Sequence, residues 1–401
     1  MGIINRLINA WNMASTFDIL TALNAQRNSK AGANVTWRTA LEASTSMACA
    51  RVLGNGIGQV PFKLMKYDGK TRQPATELEL YRVLHDAPNE WMTAYEYRVM
   101  MMMHILFCGA HYSFVNRVGG DVIELLPFEP QQVTVRRDGW NLFYEVHFDG
   151  GKPQNIPAAN MWHVRGPSWN GWMGLEGVKV ARDAIGLSIA TEEHGSLLFR
   201  NGAQGSGLLT TDSQLNAEKA KELREAWQDS QAGENRFKTA VLWGGMKWTP
   251  MSSPNDTTQF LETRKFQVEE ICRALGVMPI MVGATDKTAT YASSEQMFIA
   301  HVVHDLSPRG VMIEQSANMK LLTPEQRKRG YYTKIMFNGL MRGSAKERSE
   351  YYKAALGAGG SPPWLTQDEV RELEDMNPMG GNAAYLREPS NVGGTNEPET
   401  L

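Results

Sequence analysis

The sequence predicts an α+β chain, and three observations carry that reading. Two long helix-like stretches, Thr257–Gly276 and Ser293–Leu322, dominate the second half. A block of short runs between Tyr112 and Val164, rich in β-branched and aromatic residues, reads as strands. Three helix starts carry the Ser/Thr-x-x-Glu pattern in which hydroxyl and carboxylate satisfy each other's free amides: Thr93–Glu96, Ser344–Glu347 and Thr366–Glu369.

In chain order, residues 1–34 contain an amphipathic stretch with Ile3, Ile4, Leu7, Ile8 and Trp11 at helical spacing, then a polar segment. It reads either as a loosely attached arm or as a partner-docking helix. Ala40–Gly54 is expected to be a helix and Val60–Tyr67 a strand ending at an Asp68-Gly69 turn. The Thr93 box opens a helix running to Phe107 and stopped by Gly109. Met100, Met101, Met102 and Met103 cover every side of one turn, so that helix should be buried. Strands follow at Tyr112–Arg117, Val122–Leu126, Val133–Arg137, Phe143–Phe148 and Met161–Val164, with Asp138-Gly139 as a hairpin signal.

The pattern changes after Gly174. Leu175–Asn201 reads as one helix, long enough at roughly 40 Å to span a domain. A small α/β unit comes next: strand Gly207–Thr211, a helix from Asn216 to Ser230, and strand Thr239–Pro250. The helix Thr257–Leu275 should pack through Phe260, Ile271 and Leu275. Glu262, Lys265, Glu269 and Arg273 form a charge ladder on another face, either a solvated surface or a seam against a neighbouring copy. Pro308 lacks an amide and clashes with the preceding turn, so a kink is expected near Leu306–Gly310. The Ser344 box opens a helix ending around Gly357–Gly360. The Thr366 box opens one that stops before Asn377-Pro378, and from Gly380 the composition predicts a disordered tail.

Between the long helices lies Met278–Ala292, rich in small and hydroxyl residues and without a catalytic signature. Such a loop on two stiff supports suits a device that touches something without reacting with it. The composition agrees. Among 401 residues, 42% are hydrophobic and 21% charged, and the formal charge is −2. A protein built to grip nucleic acid tightly usually carries a basic surplus, because neutralised phosphates supply most of the affinity. Cys49, Cys108 and Cys272, an odd number in apolar contexts, read as buried thiols in a reduced compartment. With no apolar span long enough for a bilayer and no signal-peptide pattern, the chain is expected to be soluble and not secreted.

Catalytic readings lose to plainer ones. No phosphate-binding Gly-x-x-x-x-Gly-Lys-Ser/Thr loop occurs, and Gly205-Ser206-Gly207 lacks the surroundings of a nucleophile elbow. His301, His304 and Asp305 have helical spacing that could seed a metal site, but a polar helix face is preferred. His163 is expected to be a hydrogen-bonded structural histidine, and Asp286 and Lys287 to be solvated loop charges. No catalytic residue, metal or cofactor is assigned.

Several stretches, in order, carry a resemblance. They are Ala50-Arg-Val-Leu-Gly-Asn-Gly-Ile-Gly-Gln-Val-Pro-Phe62, Leu84-His-Asp-Ala-Pro-Asn89 with Met92-Thr-Ala-Tyr-Glu96, and Glu124-Leu-Leu-Pro-Phe128. Later come Phe199-Arg-Asn-Gly-Ala203, Gln259-Phe-Leu-Glu-Thr-Arg-Lys-Phe266, Glu270-Ile-Cys-Arg-Ala-Leu-Gly-Val277 and Asp368-Glu-Val-Arg-Glu-Leu-Glu374. From about Ala43 to Pro378 the chain resembles the HK97-type portal (head–tail connector) proteins of tailed bacteriophages.

The resemblance implies a portal fold with an α/β wing, a two-helix stem, a small α/β clip, a long kinked helix and a helical crown. After an N-terminal arm (1–34), it maps the wing to 35–174, the stem helices to 175–201 and 257–277, and the clip to 202–256. The tunnel loop falls at 278–292, the kinked helix and wing return at 293–339, the crown at 340–379 and the tail at 380–401. Met278-Pro279 stands where the family commonly has Pro-Pro. The resemblance further implies a homo-oligomeric ring, a dodecamer in the virion, at one capsid vertex. Its partners would be double-stranded DNA, the terminase large subunit, the head–tail adaptor and the major capsid protein, with no membrane. The ring would assemble in the host cytoplasm.

The expected DNA-facing residues are Thr285, Asp286, Lys287, Thr288, Thr290 and Tyr291. Lys287 would make a sparse phosphate contact and the hydroxyls short-lived ones without sequence information. Glu262, Lys265, Glu269 and Arg273 are expected at inter-subunit seams of the stem. Two other classes compete: a nucleic-acid-processing hydrolase of the packaging apparatus, and a shell or adaptor component without DNA contact.

Overall fold

The computed structural model describes residues 29–69, 71–148, 150–200, 207–211, 216–230, 245–250, 256–284, 291–340, 345–358, 362–374 and 376–386. The chain divides into two compact units, Met1–Thr290 with Val303–Ile335, and Tyr291–Val302 with Met336–Leu401.

The first unit opens with α1 (Trp37–Glu42) and α2 (Ser44–Gly58). The sequence predicts one helix here, ending at Gly54. Instead Ala43 is extended and splits it, and α2 runs on through Gly54, Gly56 and Gly58. Packing explains the extension. A Cβ at Gly54 or Gly58 would stand 3.2 or 2.7 Å from the Val99 side chain of α4 (Ala94–Cys108), so the bare backbone lets two helices approach closely. The Thr93 box and the Gly109 stop of α4 occur as expected, and Met101 and Met102 are buried while Met100 and Met103 are half-buried.

Strand β1 (Phe62–Tyr67) pairs with β2 (Arg72–Pro74), which the sequence reading missed, as it missed α3 (Glu79–His85). Five more strands follow: β3 (Ala110–Val118), β4 (Asp121–Phe128), β5 (Val133–Asp138), β6 (Asn141–Val146) and β8 (Met161–Arg165). Each matches an expected run within three residues at either end. The unexpected β7 (Gln154–Pro157) is short and mostly exposed, so it carries little apolar signal. Two antiparallel three-stranded sheets result, β4-β3-β8 and β5-β6-β7.

Tyr112, Val133, Tyr144, Val146, Ile156 and Met161 from both sheets form one apolar cluster. The alternation of β3 sends Tyr112 into that cluster and places His111 and Ser113 in a polar network with α4. There the Tyr97 hydroxyl and Ser113 Oγ stand 2.6 Å apart, and His111 Nε2 lies 2.8 Å from Ser113 Oγ. Both faces of β3 are therefore buried, which is why its sequence lacks a clean polar side.

The expected helix over 175–201 is interrupted. It comprises α5 (Gly177–Val180) and α6 (Arg182–Arg200), separated at Ala181, where φ −87° and ψ 6° open the turn. In the small α/β unit, β9 (Gly207–Thr210) pairs with β10 (Lys247–Pro250), and α7 (Ala217–Ser230) lies between them in sequence. The start of the expected strand Thr239–Pro250 lies outside the described residues. Helix α8 (Asp256–Leu275) follows, with Ile271 and Leu275 buried as predicted; the Phe260 side chain lies outside the described residues.

The stretch expected as one kinked helix is α9 (Tyr291–His301), a π-helical turn Val302–Leu306, and α10 (Ser307–Lys320). The irregularity thus precedes Leu306–Gly310, where the sequence placed it. Pro308 cannot donate to the carbonyl one turn earlier and its ring crowds it; a wider π turn just upstream relieves the clash. The π turn also breaks the i, i+3, i+4 spacing of His301, His304 and Asp305. His301 is buried, so these residues are not one polar face.

Two further missed elements close the unit: α11 (Pro324–Lys328), opened by a Thr323–Gln326 capping box, and β11 (Tyr331–Ile335). β11 pairs with β1 in the register Phe62↔Ile335, a contact no local pattern could announce. Helix α10 packs on β8 and β11. Trp162 Nε1 donates to Ser316 Oγ at 3.0 Å, and the buried Glu314 carboxylate accepts from the Ile335 amide at 2.7 Å.

Three arginines hold helix ends. Buried Arg98 donates to the carbonyls of Gly58 and Leu84, the C-termini of α2 and α3, at 2.8 and 3.1 Å. Burial lowers its guanidinium to about 10, so it stays charged at neutral pH. Arg117 donates to the Lys320 carbonyl at the end of α10 at 2.6 Å. Cations at helix C-termini meet the negative end of the macrodipole as well as unpaired carbonyls. The third, Arg309, belongs to the candidate site.

In the second unit, α12 (Ala345–Ala355) and α13 (Gln367–Leu373) are tied through Glu374, which accepts from Tyr352 at 2.6 Å and pairs with Arg348 at 3.3 Å. The Thr366–Glu369 box forms as expected, whereas Ser344 lies outside the described residues. The tail departs from its expected disorder up to Leu386. The Asp368 carboxylate accepts from the amides of Met379 and Gly380, Gly381–Ala384 forms a 3-10 turn, and Ala383 is buried. The tail's end, like the N-terminal stretch 1–28, lies outside the described residues.

Candidate functional site

Helices α6 and α8 pack on one another, and α8 leads into the polar segment singled out in the sequence. One face of α8 is apolar and buried through Ile271, Cys272 and Leu275. Glu262, Lys265, Glu269 and Arg273 are all exposed; Arg273 pairs with Glu270 rather than with a ladder member. An exposed pair of this kind contributes at most about 1 kcal/mol.

The end of α8 is held firmly. Gly276 adopts φ 68°, and the Val277 amide turns back to the Cys272 carbonyl at 2.9 Å, closing the helix. The Arg309 guanidinium, from the first turn of α10, donates to the Leu275 and Gly276 carbonyls at 3.1 and 3.3 Å. Its other terminal nitrogen donates to the Asp305 carbonyl at 2.6 Å, in the π turn. One cation therefore joins the end of α8 to the irregular turn before Pro308. A Cβ at Gly276 would come within 2.9 Å of that guanidinium, which would have to shift, while the positive φ itself favours glycine.

Beyond this clamp, Pro279–Val282 forms a 3-10 turn, and the Ala284 amide donates to the Pro279 carbonyl at 3.1 Å. Thr285, Asp286, Lys287, Thr288 and Thr290 lie outside the described residues. Tyr291 is the first residue of α9, and its side chain lies outside them too. What the structure describes is thus the support of the segment. Sequence reasoning missed Arg309 and the part Gly276 plays. The available signals were the Leu275-Gly276 helix stop and the Pro308-Arg309 pair, neither of which shows that the two meet.

Two histidines beside the β-sheets, His104 and His163, are poor acids and bases. His163 Nδ1 lies 3.2 Å from the Tyr144 hydroxyl, and its ring packs 4.5 Å from that of Tyr112. Burial, then the nearby Arg165 and Lys320 charges, depress its pKa to about 3. Burial likewise brings His104 to about 4 and pushes the Tyr144 hydroxyl up to about 12. At neutral pH these groups are fixed in their neutral forms, which suits packing better than proton transfer. Among the described residues, no group of three His, Cys, Asp or Glu side chains is placed to hold a metal ion, and no helix is long and apolar enough to cross a membrane.

Comparison with known proteins decides the family. The model of the phage portal protein family matches residues 44–375. The chain belongs to the phage portal protein family. The portal protein of Enterobacteria phage HK97 is 26% identical over 357 residues, covering 88% of this chain and 83% of that protein. A probable portal protein of Streptomyces phage phiC31 is 28% identical over 379 residues, covering 91% and 82%. Solved structures share the fold. An HK97 family phage portal protein from Corynebacterium diphtheriae superposes with a TM-score of 0.59 at 15% identity, over 77% of this chain and 98% of that one. A chain from the neck of a native gene transfer agent particle, computed with C12 symmetry, gives 0.54 at 21% identity, over 85% and 92%. The mixed helix-and-sheet architecture expected from the sequence is therefore that of portal proteins.

Proposed function

We propose that this portal protein acts as a passive conduit: a homo-oligomeric ring, with twelve copies in the particle, at one capsid vertex. Double-stranded DNA passes along its axis during packaging and ejection. The observation that carries this reading is the family match across residues 44–375. It is supported by the C12 symmetry of the gene transfer agent neck that shares the fold. In this reading 35–174 is the wing, 175–201 and 257–277 the stem, 202–256 the clip, 278–292 the tunnel loop, 293–339 the kinked helix with the wing return, and 340–379 the crown. The terminase large subunit and later the head–tail adaptor dock at the clip, and the major capsid protein surrounds the ring. Assembly takes place in the host cytoplasm.

The physical logic is low affinity. A channel lined with lysines and arginines would release many counterions from DNA and hold it fast. A chain with net charge −2, whose loop carries Lys287 beside Asp286 and several hydroxyls, offers only weak contacts blind to sequence. The polymer can slide while an ATPase supplies the work, so the protein itself needs no catalytic group. The exposed faces of α8 that bear Glu262, Lys265, Glu269 and Arg273 are offered to neighbouring subunits, since a cyclic ring joins unlike surfaces. No observation favours the packaging hydrolase.

Electron micrographs of the purified full-length protein, averaged without imposed symmetry, test the proposal. Rings with a central hole wide enough for a duplex are expected; monomers or closed discs would refute it.

A further inference from the structure

The seam between α2 and α8 contains two thiols. Cys49 on α2 and Cys272 on α8 are fully buried, and their sulfurs stand 3.7 Å apart although 223 positions separate them in sequence. We propose that Cys49 and Cys272 are a covalent site: under oxidation they form an intrachain disulfide that staples α2 to α8. A disulfide requires sulfurs about 2.05 Å apart, a closure of under about 2 Å from their present separation.

The pair is chemically asymmetric. The hydrogen bond between the thiols holds Cys272 below the usual thiol range and, with burial, pushes Cys49 far above it. The two thiols share one hydrogen bond, so whichever sulfur gives up its proton is the nucleophile and the other completes the bond. The third thiol, Cys108 on α4, is a weaker competitor: burial raises it to about 11, and its sulfur lies 3.3 Å from Gln131 Nε2.

The oxidant is a peroxide. One thiolate of the pair attacks one oxygen of hydrogen peroxide, breaking the O–O bond; that sulfur becomes a sulfenic acid and hydroxide leaves, taking up a proton as water. The other sulfur, giving up its proton, then attacks the sulfenic sulfur and expels the second oxygen as water. The two sulfurs lose two electrons in total and the peroxide gains them. A reducing cytosol keeps the thiols free, whereas an oxidising exterior favours the bond.

The test uses full-length Cys108→Ser protein purified under reductant and treated, while folded, with hydrogen peroxide or in parallel with diamide. Free thiols are then blocked and the products read by intact mass and peptide mapping. The expected result is loss of two hydrogen atoms, a linked Cys49–Cys272 peptide, and a rise of several degrees in melting temperature that dithiothreitol reverses. The rise should vanish in a Cys49→Ser derivative. Recovery of both cysteines as free thiols after either oxidant would overturn the proposal. So would oxidation confined to sulfinic acid on one of them, or links only between chains.

Discussion

At the residue scale, charge and burial are set against each other at a few positions, and each resolves differently. Arg98 and Arg309 keep their charge inside the fold because helix carbonyls take the place of a carboxylate. His104 and His163 have no such partner and stay neutral. That difference makes stability depend on pH. Unfolded, a histidine titrates near 6.5; folded, His163 falls to about 3 and His104 to about 4. Between those values the unfolded chain binds protons that the folded chain refuses, so stability rises with pH. The contribution is fully present above about pH 6.5 and is lost as pH falls toward the folded pKa. For His163 the slope approaches about 1.4 kcal/mol per pH unit. Thermal melts from about pH 8 to 4.5 should show a midpoint that is flat at the top and falls below about 6.5, more shallowly in His163→Gln. Parallel curves for the two proteins would contradict the assignment.

At the element scale, the end of α8 matters most, because Gly276, Val277 and Arg309 fix where the polar segment begins. Gly276→Ala asks an alanine to adopt φ 68° and to share space with a guanidinium 2.9 Å away. The expected cost is about 1–3 kcal/mol. Hydrogen exchange should quicken at the Val277 amide and along the last turn of α8. Arg309→Ala should quicken the same amides by freeing two carbonyls, and the double variant should add little to either single change. Full additivity would mean the two residues do not act on one joint.

At the scale of the whole molecule, the proposed ring places the demands on the loop and on the rest of the chain in different locations. Lys287→Ala, or exchange of Thr285, Thr288 and Thr290 for alanine, should alter DNA packaging or retention in particles severalfold. Ring assembly, read from micrographs and sedimentation, should stay unchanged. Rings lost on Lys287→Ala would place that residue in subunit contacts rather than in the channel.

Much of the architecture was legible because local chemistry announces itself. Thr93 and Thr366 cap helices wherever they fold, Asp138-Gly139 turns a hairpin, and the alternation in Val133–Arg137 belongs to a strand with one buried face. The family, too, was carried by short stretches in a fixed order. Of the candidate site, only the helix leading in was legible; the grip of Arg309 on it was not. Tertiary contact decided whatever depends on residues far apart in sequence. Gly54 and Gly58 continue a helix because Val99 packs against them, and Tyr331–Ile335 is a strand because β1 offers it an edge. Arg309 meets α8, and Cys49 meets Cys272, only once the chain has closed on itself. Hydrogen bonds within a few residues leave a pattern that spacing can carry. A partner hundreds of positions away leaves none, since burial and close approach are properties of the packed chain.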